Sequence, residues 1–170
     1  MTPEFIIRKA RISDAAQLAA IGSSITAEGY GLAAPGEITF PPKKYKKTIR
    51  HAGKDEENQL FLVAAAGEEV LGSLYFQRSY PLKYRHHGSF GMSLKQSARG
   101  LGIGSHLVEA LIEWAEKEKT IEKITLEVLS ENKAAIHLYK KYKFYEEGRL
   151  KNHVFFRKRY DDLILMARTM

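Results

Sequence analysis

Arg99-Gly100-Leu101-Gly102-Ile103-Gly104-Ser105 is the stretch on which the fold and the chemistry turn. It lies between an apolar run ending at Leu94 and an amphipathic run opening at Ile103. Three alternating glycines remove side chains, so the backbone can turn tightly and approach a ligand. The unpaired N–H groups of a helix start then face an anion. Arg99 adds a positive charge and Ser105 a hydroxyl donor. A Walker loop needs a lysine before its Ser/Thr, and here Gly104 precedes Ser105 directly. A dinucleotide fingerprint needs a third glycine where Ser105 stands, near the first strand rather than late in the chain. Coenzyme A and a ligand-free strand-to-helix turn stay open.

Outward from the loop, Gly88 to Leu94 reads as a strand and Ile103 to Lys117 as a helix. The helix carries Ile103, Leu107, Leu111 and Trp114 on one face. Ile121 to Leu129 alternates as a strand, with Ile124, Leu126 and Val128 on one side. A short helix follows from Asn132 to Tyr142. Phe144 to Arg149 and Asp162 to Arg168 are the last strand candidates. Upstream, Phe5 to Lys9 opens the chain as a strand, and Ser13 or Asp14 caps a helix. From Gly22 to Phe40 periodicity fades among glycines and Pro35, which predicts a helix end and a loop. Pro41-Pro42 starts a basic helix to Ala52. Leu60 to Ala66 and Val70 to Arg78 form a hairpin about Gly67.

The 170 residues show no composition break, linker or repeat, so residues 1–170 read as one α/β domain. The expected architecture is a mixed, mostly antiparallel central sheet flanked by helices. Cysteine is absent, which excludes disulfides, thiolate metal sites and a cysteine nucleophile. No apolar run nears the ~20 residues of a membrane span, and Phe5-Ile6-Ile7 is too short for a signal core. The expected location is the cytoplasm. The net charge of +7 fits an anionic ligand, a nucleic acid or a solubilising surface. Its densest cluster, Lys43, Lys44, Lys46, Lys47 and Arg50, reads as a solvated helix face, since no nucleic-acid motif accompanies it.

Two blocks carry a family resemblance. Arg99 to Gly104 resembles the Arg/Gln-x-x-Gly-x-Gly/Ala signature of the GNAT superfamily of N-acetyltransferases. Leu126-Glu127-Val128, Asn132, Ala135-Ile136 and Leu138-Tyr139 resemble its second block, and Phe144 and Gly148 follow in place. The resemblance covers roughly residues 88 to 149. It departs at Lys143-Phe144, where relatives often have Gly-Phe, and at Gln96, near which a proline is common. The lost glycine puts the end of that helix in question.

The resemblance implies acetyl-coenzyme A as co-substrate, no metal, and transfer of acetyl to a primary amine. The acceptor would be an amino acid or analogue, a polyamine, or a protein N-terminus. It implies a cofactor-binding set of Ser93, Leu94, Arg99, Gly100, Leu101, Gly102, Ile103, Gly104, Ser105, Asn132 and Tyr139. Leu94 would act through its backbone N–H, as the contact to the acetyl oxygen. Tyr139 is the candidate acid for the leaving thiolate, against a reading as a core tyrosine. Glu127 is the candidate base through water, against a solvated strand carboxylate. Its twelve-residue spacing from Tyr139 resembles the acid/base pair of ribosomal-protein alanine acetyltransferases. Asn132 would bond the pantetheine arm or cap its helix. His86-His87 reads as loop surface rather than a metal site. Asp161 and Asp162 read as structural, and Arg157-Lys158-Arg159 stands where relatives have an Asp/Asn-Gly turn. A coenzyme A-binding module without turnover is the alternative. A homodimer, common in the family, stays open, and neither a membrane nor a nucleic-acid partner is expected.

Overall fold

The computed structural model describes residues 3–31 and 33–170. Its elements run β1 (Ile6–Lys9), α1 (Ala15–Glu28), α2 (Pro42–Lys54), β2 (Gln59–Ala66), β3 (Glu69–Arg78), β4 (His87–Leu94), α3 (Ile103–Glu118), β5 (Lys123–Leu129), α4 (Lys133–Lys141), β6 (Tyr145–Phe156) and β7 (Arg159–Thr169). The strands form one seven-stranded sheet in the order β1-β2-β3-β4-β5-β7-β6. Every neighbouring pair is antiparallel except β4–β5, which is parallel. This is the mixed, mostly antiparallel sheet expected from the sequence.

Alternation in the strands builds two cores, one on each face of the sheet. Leu62, Leu74, Phe76, Ile124, Leu126 and Met166 meet Leu107, Leu111 and Tyr139 of α3 and α4. On the opposite face Phe61, Val63 and Val70 meet Leu18, Ile21 and Ile49 of α1 and α2. That second layer covers the β2–β3 side and leaves β4, β5 and β7 open above Ser89, Gly91, Thr125 and Glu127. Among the described residues no helix is long and apolar enough to cross a membrane.

Two expectations need correction. Residues 22–28 are helical, so the predicted loop from Gly22 to Phe40 shrinks to residues 29–41; Leu32 within it lies outside the described residues. Gly22 is not a break. A Cβ there would lie 2.5 Å from the Tyr45 hydroxyl and 3.0 Å from Phe40, so the glycine lets α2 approach α1. The helix ends instead at Gly29, whose φ of 85° suits the left-handed cap. The second correction is β6, which runs on from the predicted Phe144 to Arg149 segment as far as Phe156. It is a largely exposed edge strand of the sheet, so its side chains lack the apolar alternation that announces a strand. It returns into β7 through Arg157 and Lys158, both at positive φ (50° and 62°), a turn in place of the usual Asn-Gly.

The parallel pairing of β4 with β5 covers His87–Lys123, Gly88–Ile124 and Ser89–Thr125 and stops there. Beyond it β4 stays on β3 and β5 stays on β7, so the two strands part. The gap between them positions the site.

Candidate active site

The gap opens beside a cavity of about 400 Å³ between the glycine loop and α4. Every cofactor candidate named from the sequence lines it except Leu101, whose side chain packs on the core instead. The structure thus gathers Ser93 and Leu94 of β4, the loop, Asn132 and Tyr139 around one space.

The loop has the features an anion needs. Gly100 and Gly102 sit at φ of 75° and 80°, and a Cβ at either would meet nothing within 4 Å. They are required by backbone conformation, not by crowding. Gly104 is the opposite case: a Cβ there would stand 3.0 Å from Leu138 and 3.4 Å from Met92, so its absence lets α3 pack on α4. The first helical bond of α3 runs from the His106 N–H to the Gly102 carbonyl at 3.2 Å. The N–H groups of Ile103, Gly104 and Ser105 precede it and have no backbone partner among the described residues. They form a positive helix end facing the cavity. Ile103, 1% exposed, can offer only its backbone.

Leu94 is placed by the ladder. The Lys95 N–H donates to the Leu71 carbonyl of β3 at 2.9 Å. Peptide groups alternate along a strand, so the N–H and C=O of Leu94 point away from β3, into the gap. The Leu94 carbonyl there accepts from Arg99 at 3.3 Å.

Arg99 lines the cavity, but its guanidinium is already engaged. Its guanidinium forms a fork with the Glu28 carboxylate, at 2.5 and 3.0 Å, and lies 5.3 Å over the Tyr30 ring. Glu28 ends α1 and Tyr30 lies in the loop after it, both within the stretch from Gly22 to Phe40 that the sequence reads as a loop.

Tyr139 is 7% exposed and packs edge-on against Phe90 and Phe144, with ring centroids 5.7 and 6.0 Å away. Its hydroxyl has no hydrogen-bond partner among the described residues. Burial pushes its pKa up to about 12, so the hydroxyl stays protonated and able to donate. Asn132 caps α4, its side-chain oxygen accepting the Ala135 N–H at 3.3 Å. That leaves its NH₂ free to donate, so both roles expected of it are compatible.

Glu127 does not line this cavity. It projects from the other sheet face into a second space of about 720 Å³, with Thr125 and Ser89, and has no hydrogen-bond or ion-pair partner among the described residues. Tyr30, Ser93, Asn132 and Tyr139 border both spaces, which therefore meet across the gap. Tyr75 and Gln77 also border the second space. Their alternation on β3 is the signal that could have found them. Asp161 and Asp162 are structural: Ser130 donates to the first at 2.5 Å, and Arg149 and the Asn152 N–H hold the second at 3.0 and 2.8 Å. Among the described residues no three His, Cys, Asp or Glu side chains gather as a metal site.

A glycine cradle on a helix start, beside a parallel strand pair that parts, defines the class of α/β acyltransferases that bind a long thioester carrier. Residues 29–144 match the acetyltransferase (GNAT) family, and the chain belongs to it. The L-amino acid N-acetyltransferase AaaT of Escherichia coli is 31% identical over 107 residues, 63% of this chain and 66% of that protein. The spermidine N(1)-acetyltransferase of Vibrio cholerae is 27% identical over 110 residues, 64% of this chain and 62% of that protein. The matches thus span just under two thirds of these relatives. A GNAT-family acetyltransferase of known structure from Streptococcus pneumoniae superposes with a TM-score of 0.90 at 25% identity, covering 98% of this chain and 100% of the other.

Proposed function

We propose that this protein is an acetyl-coenzyme A-dependent N-acetyltransferase acting on a primary amine of a small molecule or a protein N-terminus. The observation that carries the reading is the meeting of the two spaces. The glycine cradle lies on one side of the gap, the Leu94 N–H and the Tyr139 hydroxyl lie at it, and the Glu127 carboxylate lies on the other side.

The cradle fits a pyrophosphate: open space over Gly100 and Gly102, and unpaired N–H groups at the start of α3. The gap gives an extended arm unpaired strand edges and the Asn132 amide to bond. Bound acetyl-coenzyme A supplies an activated acyl group. Glu127, through water, takes a proton from the acceptor ammonium. The free amine then forms the new C–N bond at the acetyl carbon. The Leu94 N–H donates to the oxygen that gains charge. As the C–S bond breaks, Tyr139 gives its proton to the departing sulfur. The new amide nitrogen gives up its remaining extra proton through water to the Tyr139 phenolate, which restores the phenol, and Glu127 returns the first proton to solvent through the open second space.

A thiol-release assay with purified protein, acetyl-coenzyme A and a panel of amines tests this. Thiol released in proportion to an acetylated amine is the expected result. Tight cofactor binding with no release on any amine would make the chain a binding module instead.

A further inference from the structure

The second space distinguishes between kinds of amine. Two carboxylates border it, Glu127 and Glu147, and none of the described residues lining it is a lysine, arginine or histidine. This holds although the chain carries 27 Lys and Arg and a net charge of +7. Charge therefore does not simply follow composition here. The lining of the acceptor side is acidic within a basic protein, with Glu127 unpaired among the described residues and Glu147 paired to Lys123.

The two carboxylates differ in place and state. Glu127 stands on β5 beside the gap, without a partner among the described residues. In register it faces Leu165 of β7, which in turn faces Gly148 of β6, next to Glu147. Two strand spacings, roughly 10 Å, separate Glu127 from the Glu147 position. One oxygen of Glu147 is held by Lys123 at 2.6 Å, which leaves the other free to accept. Tyr139, whose hydroxyl has no hydrogen-bond partner among the described residues, borders the same space.

A free α-amino acid fits this poorly. Its carboxylate, one carbon from the nitrogen, would enter beside Glu127 with no cation to receive it, and like charges in a partly enclosed site repel. Arg157 and Arg159 border a neighbouring cavity, which shares Tyr30, Gly31, Leu129 and Asn132 with this space. Arg159 lies six residues before Leu165 on β7, roughly 20 Å of extended chain and beyond the reach of an α-carboxylate.

Resting on the acetyltransferase reading above, we infer that the preferred acceptor is an alkyl diamine or polyamine without a carboxylate beside the reacting nitrogen. Glu127 draws that nitrogen to the gap, and Glu147 holds the second ammonium. The aromatic faces of Tyr30 and Tyr75 on the same space suit a cationic alkyl chain.

Matched acceptors test this with the intact protein and acetyl-coenzyme A. L-Lysine differs from 1,5-diaminopentane only by its carboxylate. If the α-nitrogen of lysine reacts, that carboxylate meets the unpaired Glu127; if the ε-nitrogen reacts, it reaches the Glu147 end, where Lys123 already pairs with Glu147. 1-Aminopentane lacks only the second ammonium. The expected kcat/KM for 1,5-diaminopentane exceeds both by about tenfold or more, the effect of one well-placed charge contact. Glu147→Gln, an exposed change whose melting temperature is checked alongside, narrows the advantage over 1-aminopentane to roughly threefold or less by raising KM. Lysine turning over as well as the diamine overturns the inference and leaves acetyl transfer standing. An unchanged diamine advantage in Glu147→Gln overturns the role of Glu147. No thiol release with any amine overturns the acetyltransferase reading and this inference with it.

Discussion

Glu28, the last residue of α1, holds Arg99 of the glycine loop through both guanidinium nitrogens, at 2.5 and 3.0 Å. The side chains are 32% and 24% exposed for Arg99 and Glu28, so the pair contributes at most about 1 kcal/mol. A phosphate offers the same guanidinium a more highly charged partner. On the acetyltransferase reading, Glu28 competes with the cofactor's phosphates for Arg99. Glu28→Gln is expected to tighten acetyl-coenzyme A binding by roughly three- to tenfold in calorimetry. Unchanged affinity would assign Arg99 to holding the loop alone.

Gly102→Asp asks whether the loop holds the pyrophosphate at all. The position is at φ 80°, and a Cβ there would meet nothing within 4 Å among the described residues. Aspartate tolerates this backbone better than most residues, and the expected loss of stability is about 1 kcal/mol. Its carboxylate, however, stands at the helix start where the phosphates belong. Binding is expected to fall by roughly 100-fold or more, with a melting temperature only a few degrees lower. Gly102→Ala separates the two effects, since it shares the backbone strain and lacks the charge. Equal affinity in the aspartate variant and the wild type would move the cofactor elsewhere.

The glycine loop and the α4 face were legible in the sequence because each is local. Consecutive residues make the cradle, and one helix face carries Asn132 to Tyr139. The hairpin of β2 and β3 was legible for the same reason. What could not be read was set by tertiary contact. Gly22 looked like a break because its use, room for Tyr45 of another helix, lies 23 residues away. Arg99 looked free because Glu28 is brought to it by the fold. The second space joins β3, β4, β5, β6 and β7, so its acidic lining is visible only once the strand order is known. The net charge of +7 pointed the other way.

Lys143 stands where relatives often have glycine, and the sequence left open how α4 would end. The structure keeps the glycine geometry. Lys143 takes φ 63°. The Phe144 N–H donates to the Tyr139 carbonyl and the Lys143 N–H to the Lys140 carbonyl, both at 3.0 Å. This is the Schellman pattern with lysine in the left-handed position, and Phe144 packs back on Tyr139. A non-glycine residue there costs about 1 kcal/mol. Lys143→Gly is therefore expected to raise the melting temperature by roughly 2–4 °C without altering cofactor affinity. A lower melting temperature would show that the lysine side chain contributes more than its backbone costs.

Tyr139 joins the packing of α4 to the chemistry at the gap, and the two can be separated. Tyr139→Phe keeps the ring that meets Phe90 and Phe144 and removes only a hydroxyl with no protein partner. Cofactor affinity should stay near that of the wild type, while turnover falls by roughly 100-fold, a usual contribution of a positioned proton donor. Unaltered turnover would leave Tyr139 a packing residue. The pH dependence adds a second check. With its pKa at about 12, Tyr139 remains protonated through the range in which the acceptor amine loses its proton. The wild-type kcat/KM should rise with pH and show no fall from tyrosine ionisation below about pH 11. Stability responds in the opposite sense. Burial favours the neutral phenol in the folded chain, whereas the unfolded tyrosine ionises near its ordinary value of about 10. The unfolded state therefore binds fewer protons between pH 10 and about 12, and folding stability declines across that window. Tyr139→Phe lacks this loss, so the stability of the wild type relative to the variant should drop as pH rises through 10 in parallel urea titrations. A constant difference across that window would place the Tyr139 hydroxyl in freer contact with water than its burial in the structure allows.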